Sequence, residues 1–289
     1  MVVSRLSALR TYSDFVVLPH SVFALPFAFA ALLLAARANQ AALSPLTVLL
    51  IVLCVVCART AAMAFNRLVD SDIDAKNPRT AGRHLPSGAV TPASARRLVV
   101  LSSAGFFGGA ALLGSHCLVL APLVLGVLFG YSYTKRFTAA SHAFLGLALA
   151  LAPGGAWWVL RPEIEGTPLV LMGAVLLWVA GFDILYSCQD YEFDTENGLH
   201  SIPATLGIRR ALLLSTVLHV GAFLLFIGVG VVANLAAPYY WFMLPLGALL
   251  IGQHALLRPD DLRLVNRAFF TFNGGVSIAY VLIIWWIGS

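Results

Sequence analysis

Charged side chains are scarce in this sequence. Asp, Glu, Lys and Arg make up 11% of the 289 residues, whereas an ordinary soluble domain has about 25%. This shortage excludes a soluble globular fold of this size, a disordered chain and a coiled coil. Hydrophobic residues account for 60% of the chain. The composition therefore predicts a polytopic membrane protein.

Cysteine is also rare, and four residues in 289 do not make a disulfide scaffold. Cys54 and Cys57 form a C-x-x-C pair inside an apolar run, which favours two small residues of a membrane helix over a redox or metal site. We expect no cleavable signal peptide, because the first apolar stretch is long enough to span a bilayer. We expect no nucleic-acid partner.

Nine apolar segments approach the roughly 20 residues that a membrane helix needs. They predict an all-α fold of nine transmembrane helices in a single membrane domain that covers residues 1–289. The predicted spans are residues 15–36, 43–65, 98–115, 118–133, 143–160, 168–187, 211–233, 239–257 and 268–287.

The basic residues predict the orientation in the membrane. Arg37 and Arg161 fall between spans on one side, Arg59 lies inside a span, and the rest of the 18 Lys and Arg fall on the other side. Positive charge marks the cytoplasmic side. We therefore predict an inner-membrane protein with a cytoplasmic N-terminus and an outside C-terminus.

Two long polar connections follow spans that reach the cytoplasmic side, and both carry aspartates at helical spacing. Asn66, Asp70 and Asp74 are four residues apart, which places them on one helix face. Asp183, Asp190 and Asp194 at i, i+7 and i+11 also share a face.

Aspartates paired in this way are either solvated acids of a loop or ligands of a hard cation. Like charges at i, i+4 destabilise a helix unless a cation offsets them. Two such pairs at equivalent ends of two spans, in a chain with 13 acidic residues, favour a metal site. Oxygen ligands prefer Mg²⁺ together with phosphate oxygens, so Asp70, Asp74, Asp190 and Asp194 are the predicted metal ligands.

Cationic and polar groups near these pairs are candidates for a diphosphate site, because arginine forks and lysine charges suit diphosphate oxygens. These candidates are Arg79, Arg83 and Lys135. Arg59 lies seven residues before Asn66, on the same face and about 10 Å deeper. It binds the carboxylate of a second substrate or pairs with a buried acid such as Asp183, and the sequence leaves both open. His20 in the first span is a further candidate for that second pocket.

The chain resembles the UbiA superfamily of intramembrane prenyltransferases. Three motifs carry the resemblance: N-x-x-x-D-x-x-x-D at 66–74, Y-x-x-x-K at Tyr131 and Lys135, and D-x-x-Y-x-x-x-D-x-x-x-D at 183–194 with Tyr186. Longer strings, such as Leu-Pro-Ser-Gly at 85–88, look like the 4-hydroxybenzoate polyprenyltransferase-like branch.

The resemblance implies helices around a central cavity with the active site at the cytoplasmic end. It implies two Mg²⁺ ions that bind a polyprenyl diphosphate, with Asn66 and Tyr131 among the diphosphate-binding residues and Asp183, Tyr186 and Arg59 as catalytic candidates. The implied partners are membrane lipid and an aromatic acid of the 4-hydroxybenzoate or 1,4-dihydroxy-6-naphthoate type, in ubiquinone or menaquinone biosynthesis.

Two alternatives remain open. Another acceptor, such as haem, chlorophyllide or a glycerol phosphate, would use the same motifs. A transporter would also carry buried charges and broken helices, but its polar groups would lie near the midplane of the membrane. Here the aspartates gather at one end of the predicted helices.

Overall fold

A computed structural model of the chain describes residues 11–16, 23–257 and 261–288. All regular elements in these residues are helical. Contacts divide the chain into two compact units. The first unit comprises Met1–Ser21 and Pro45–Tyr133, and the second comprises Val22–Ser44 and Thr134–Ser289.

Twelve helices are numbered here in chain order. They are α1 (Leu25–Asn39), α2 (Pro45–Val69), α3 (Ser71–Lys76), α4 (Pro92–Leu113), α5 (Ser115–Thr134), α6 (Ser141–Leu160), α7 (Gly166–Ser187), α8 (Tyr191–Glu196), α9 (Ile202–Leu206), α10 (Ile208–Val232), α11 (Pro238–Ala255) and α12 (Asn273–Gly288). Short turns complete the set: a 3₁₀ turn at Cys188–Asp190, a helical turn at Val265–Arg267 and a π-helical turn at Ala268–Phe272.

Each predicted span overlaps one of the long helices. Among the described residues, seven stretches are long and apolar enough to cross a membrane: α2, α4, α5, α6, Gly166–Glu196, α10 and Phe269–Ile287. Helix α1 is apolar but has only 15 residues. Helix α11 has 18 residues and is not among the seven, because its polar end at Gln253 and His254 lowers its hydropathy. By length and composition, seven stretches of the described residues could therefore cross a membrane, and the predicted number of nine spans is not confirmed.

Two helix starts differ from the prediction. Helix α1 begins at Leu25 rather than at residue 15, with Pro26 in its first turn; residues 17–22 lie outside the described part. Helix α4 begins at Pro92, six residues before the predicted span, and Thr91 accepts a hydrogen bond from the Ser94 backbone N–H at 3.2 Å. Proline fits a first turn because its missing N–H has no helical partner there. A hydropathy profile does not locate helix N-termini of this kind.

In the first unit, α2 packs along α4 and contacts α5 through an apolar cluster. This cluster contains Cys54 and Ala58 of α2, Phe106 and Ala110 of α4, and Leu125 of α5. The backbones of α2 and α4 approach closely, because a Cβ added at Gly109 would lie 2.7 Å from the Cys54 sulfur. The four cysteines of the chain are all free thiols, which agrees with the interpretation of Cys54 and Cys57 as small helix residues.

In the second unit, α7 is the central helix and packs against both α6 and α10. Trp178 of α7 is fully buried and forms a ring cluster with Phe23, Phe27 and Phe182. The α7 segment therefore has buried packing on several sides, which fixes the position of Asp183 one turn further on.

Candidate active site

The first aspartate motif keeps helical spacing across a break between two helices. Helix α2 ends at Val69 and α3 begins at Ser71, with Asp70 between them. The backbone N–H of Asp70 still donates to Asn66 O at 2.9 Å, and that of Asp74 donates to Asp70 O at 2.7 Å. Asn66 Nδ2 donates to Asp70 Oδ2 at 3.0 Å. The predicted trio thus stays together.

Both carboxylates of this motif are buried, with 3% of each residue exposed. Arg83 Nη1 donates to Asp74 Oδ1 at 2.7 Å, and Arg67 Nη1 lies 3.9 Å from Asp74 Oδ2. Buried carboxylates need such partners, since an uncompensated charge is costly to bury. Arg83 therefore lies in the predicted site, paired with a predicted metal ligand.

The loop after α3 folds back to bring Arg83 to Asp74. Asn77 Oδ1 accepts a hydrogen bond from the Arg79 backbone N–H at 2.9 Å, an Asx turn that reverses the chain. Thr80 Oγ1 donates to the Asp74 carbonyl at 3.1 Å. The side chain of Arg79 is exposed, whereas that of Arg83 is partly covered.

Deeper in the first unit, Arg59 lies on α2 with its Nε buried and without a hydrogen-bond partner among the described residues. Tyr131 of α5 is close enough to interact electrostatically with both Arg59 and Arg67. The two arginines and Tyr131 therefore form a cationic and hydroxyl-bearing group next to the Asp70 and Asp74 motif.

The second motif runs from α7 through a 3₁₀ turn into α8 rather than along one uninterrupted α-helix. Helix α7 ends at Ser187, and the 3₁₀ turn Cys188–Asp190 precedes α8. Ser187 Oγ donates to the Ile184 carbonyl at 2.9 Å, and Gln189 Nε2 donates to the Tyr186 carbonyl at 3.2 Å. Such side-chain bonds compete with the helical ladder. A 3₁₀ turn also winds more tightly than an α-helix, which rotates the residues after it.

Asp183 has a hydrogen-bond partner that was not predicted from the sequence. His142 Nδ1 of α6 lies 2.6 Å from Asp183 Oδ2. His142 and Asp183 are 41 residues apart, so only the packing of α6 on α7 brings them together. Tyr186 lies one turn beyond Asp183, and its ring centroid is 4.6 Å from that of Phe269.

Asp194 of the second unit lies among several polar residues. Asp194 interacts electrostatically with Lys135, Asp190 and His142, and with the Ser201 hydroxyl. The Lys135 carbonyl accepts a hydrogen bond from the His200 backbone N–H at 2.8 Å. Lys135 and both acidic metal candidates of the second motif are thus neighbours.

Two residues of these groups, Arg67 and His142, were not predicted from the sequence. Arg67 had a sequence signal, because it precedes Asp74 by seven residues and shares its helix face. His142 had none beyond being a lone histidine at the start of a span. His20 lies outside the described residues. Among the described residues, no group of three or more His, Cys, Asp or Glu side chains is arranged to hold a metal ion by itself.

The chain is similar to known proteins of one family. The profile of the UbiA prenyltransferase family matches residues 24–275. The 4-hydroxybenzoate octaprenyltransferase of Vibrio parahaemolyticus is 29% identical over 230 residues, which cover 79% of this chain and 81% of that one. The 4-hydroxybenzoate octaprenyltransferase of Citrobacter koseri is 28% identical, with 77% and 79% covered.

Two solved structures share the fold. A UbiA homolog from Aeropyrum pernix K1 superposes with a TM-score of 0.82 at 36% identity, and the match covers 92% of this chain and 97% of that one. A UbiA homolog from Archaeoglobus fulgidus, bound to GPP and Mg²⁺, superposes with a TM-score of 0.68 at 19% identity, with 96% and 99% covered.

Proposed function

The chain belongs to the UbiA prenyltransferase family, and from this premise we propose that it transfers a polyprenyl group from a polyprenyl diphosphate to an aromatic acid. The acceptor is of the 4-hydroxybenzoate or 1,4-dihydroxy-6-naphthoate type, and the product serves ubiquinone or menaquinone biosynthesis. The two octaprenyltransferase relatives support the choice of acceptor class.

The observation that carries the proposal is the buried pair Asp70 and Asp74 beside Arg67 and Arg83. Only 3% of each aspartate is exposed, although a solvated loop acid would face water. Asp74 Oδ2 is buried and accepts no hydrogen bond from the described residues. A buried carboxylate oxygen that accepts no hydrogen bond and lies next to a second carboxylate is suited to bind a hard cation such as Mg²⁺.

Asp70 and Asp74 would hold Mg²⁺ in the first unit, and Asp190 and Asp194 would hold it in the second. When bound, the metal neutralises the negative charge of the diphosphate as it leaves. Phosphate oxygens of the substrate would supply the remaining ligands, since Mg²⁺ is usually bound by one or two carboxylates together with substrate phosphates.

The remaining residues of the site bind the diphosphate and the acceptor. Arg79, Arg83 and Lys135 supply positive charge, and Asn66 and Tyr131 supply polar contacts. Preorganised charge of this kind stabilises a leaving group in the transition state. The carbon–oxygen bond to the diphosphate breaks, the aromatic ring forms a bond to the prenyl carbon, and the ring loses a proton. Asp183 and Tyr186 lie at the acceptor, and Arg59 binds its carboxylate.

The membrane setting follows from the substrate. A polyprenyl tail is as apolar as a lipid, so an enzyme within the bilayer binds it without moving it into water. We propose that nine helices, including the shorter α1 and α11, surround a central cavity of an inner-membrane enzyme. Apolar walls exclude water from the reacting carbon.

The test is a prenyl-transfer assay with purified protein, radiolabelled polyprenyl diphosphate and a panel of acceptors, with and without chelator. Asp70→Asn, Asp74→Asn, Asp190→Asn and Asp194→Asn should each lower kcat/KM by about a hundredfold or more, because each removes a carboxylate that would hold the Mg²⁺ needed to neutralise the leaving group. Activity should disappear with the chelator and return with Mg²⁺.

The chain provides matched controls for this test. Asp72 and Glu192 are exposed acids that lie between the two predicted ligands of each motif, so Asp72→Asn and Glu192→Gln remove the same charge from the same segments. Both controls should keep near wild-type activity. Transfer to haem, chlorophyllide or glycerol phosphate instead of an aromatic acid would contradict the acceptor assignment. Full activity in chelator would contradict the role of the metal.

A further inference from the structure

His142 makes two contacts inside the second unit, one through each ring nitrogen. It is the second residue of α6 and only 4% of it is exposed. Its Nδ1 lies 2.6 Å from Asp183 Oδ2 on α7. Its Nε2 lies 3.2 Å from the backbone nitrogen of Ile202, the first residue of α9. One imidazole thus connects three helices.

The second contact determines which ring nitrogen carries the proton. A backbone N–H only donates, so Nε2 accepts the hydrogen bond from Ile202 with its lone pair. The proton of the neutral ring is therefore on Nδ1, from which it points to Asp183 Oδ2. A doubly protonated ring would place a second N–H against that of Ile202. The geometry therefore defines His142 as a donor to the carboxylate.

The contact with Ile202 stabilises the segment that follows the second motif. The first backbone N–H groups of a helix have no partner within the helix. In α9, the hydroxyl of Ser201 accepts from the Ala204 N–H at 3.3 Å, and His142 accepts from the Ile202 N–H. Ser201 also interacts with Asp194. The same ring therefore links Asp183 to the segment that lies against a proposed metal ligand.

We infer that His142 is a positioning residue, which holds the Asp183 carboxylate in one orientation and fixes the start of α9 through the opposite nitrogen. The inference rests on the proposed function in one respect, namely that Asp183 faces the aromatic acceptor. His142 does not touch the substrate in this arrangement. It acts through Asp183, because a carboxylate that holds one strong hydrogen bond keeps one rotamer.

Three substitutions separate the two contacts. Asn places its amide nitrogen near the position of Nδ1, so His142→Asn keeps a donor for Asp183 and loses the acceptor for Ile202. Gln reaches the position of Nε2, so His142→Gln keeps an acceptor for Ile202 and loses the donor for Asp183. His142→Ala loses both.

The activity test measures KM for each substrate together with kcat. We expect His142→Gln and His142→Ala to lower kcat/KM for the acceptor about 10- to 100-fold, the range for loss of a hydrogen bond to a charged group. His142→Asn should keep most activity, and KM for the prenyl diphosphate should change little in all three. In an Asp183→Ala background, His142→Gln should have almost no further effect, because the residue acts through Asp183.

A second measurement does not depend on catalysis. Hydrogen–deuterium exchange of the substrate-free enzyme should be faster in the peptide 197–206 for His142→Asn and His142→Ala, and near wild type for His142→Gln. A purely structural role would instead make activity follow this exchange pattern and reduce it in His142→Asn. That result, or full acceptor kcat/KM in His142→Gln, would overturn the inference.

The two measurements also separate this inference from the proposed function. If the wild-type enzyme transfers no prenyl group to any aromatic acid, the proposed function fails, and with it the role of His142 in acceptor binding. Exchange in 197–206 then still decides whether His142 holds α9. If the wild type and the Asp72→Asn control are active and His142→Gln equals them, only the positioning role is wrong.

Discussion

Arg59 has a buried side-chain N–H to which a bound ligand would supply a hydrogen-bond acceptor. Its Nε is buried and has no hydrogen-bond partner among the described residues, and Tyr131 interacts with it electrostatically. The sequence left open whether Arg59 binds a substrate carboxylate or pairs with Asp183. Asp183 has a hydrogen-bond partner in His142, and we therefore propose the substrate role for Arg59.

Arg59→Ala should raise KM for the aromatic acceptor about tenfold or more, and leave KM for the prenyl diphosphate nearly unchanged. Removal of one partner of a buried charged pair costs about 2–5 kcal/mol. The measurement is steady-state kinetics with each substrate varied in turn, with a thermal unfolding control. Arg97→Ala, an exposed arginine of α4, is the matched control. A folded Arg59→Ala enzyme with both KM values and kcat unchanged would rule out carboxylate binding.

At the scale of helices, glycine sets how closely α6 approaches α7. A Cβ added at Gly146 of α6 would collide with the backbone carbonyl of Leu176 on α7. A backbone atom has no rotamer by which to move aside, so the two helices would have to separate. His142 precedes Gly146 by one turn on the same helix, and its contact with Asp183 depends on that spacing.

Gly146→Ala should therefore lower stability by about 1–3 kcal/mol, as overpacking of a buried contact does, and should weaken acceptor use in parallel. Gly155→Ala in the same helix is the matched control, because no atom lies within 4 Å of its added Cβ. Thermal unfolding in detergent measures both variants. Equal melting temperatures for Gly146→Ala and wild type would show that the two backbones are not in tight contact.

Helix α11 illustrates how tertiary contacts explain a polar sequence inside a membrane protein. His219 Nε2 lies 3.0 Å from the Trp178 carbonyl, so this nitrogen is the donor and Nδ1 is the acceptor. Gln253 Nε2 and His254 Nε2 lie 2.9 Å and 2.7 Å from that Nδ1. Gln253 and His254 of α11 are therefore both hydrogen-bonded to His219 of α10, and burial makes such bonds between polar groups favourable.

For the whole molecule, the distribution of basic residues predicts the topology. Cysteines introduced into a cysteine-free variant at Ser87 and Glu196 should react with an impermeant maleimide only from the cytoplasmic side. A cysteine at Glu163 should react only from the outside. All three positions are exposed. The charge bias is the physical reason. Labelling of Ser87 and Glu196 from opposite sides would contradict both the topology and a shared diphosphate.

The sequence by itself determined the class of fold and the spacing of the motifs. Hydropathy over about 20 residues is a local property, so the helical membrane fold was predictable from composition and run length. The spacing of Asn66, Asp70 and Asp74 is also local, because it depends only on the helical repeat. The helical repeat alone does not predict the 3₁₀ turn that follows Ser187, where side chains bond to the backbone carbonyls of the preceding turn.

Only the tertiary structure decided which groups are partners. Arg83 reaches Asp74 because an Asx turn at Asn77 folds the loop back, and His142 reaches Asp183 because α6 packs on α7. Neither contact follows from periodicity, since each depends on where a second segment lies in space. Hydropathy indicates which residues lie in the membrane. It does not indicate which charged side chains contact each other, and burial makes such contacts necessary because a buried charge without a partner is costly.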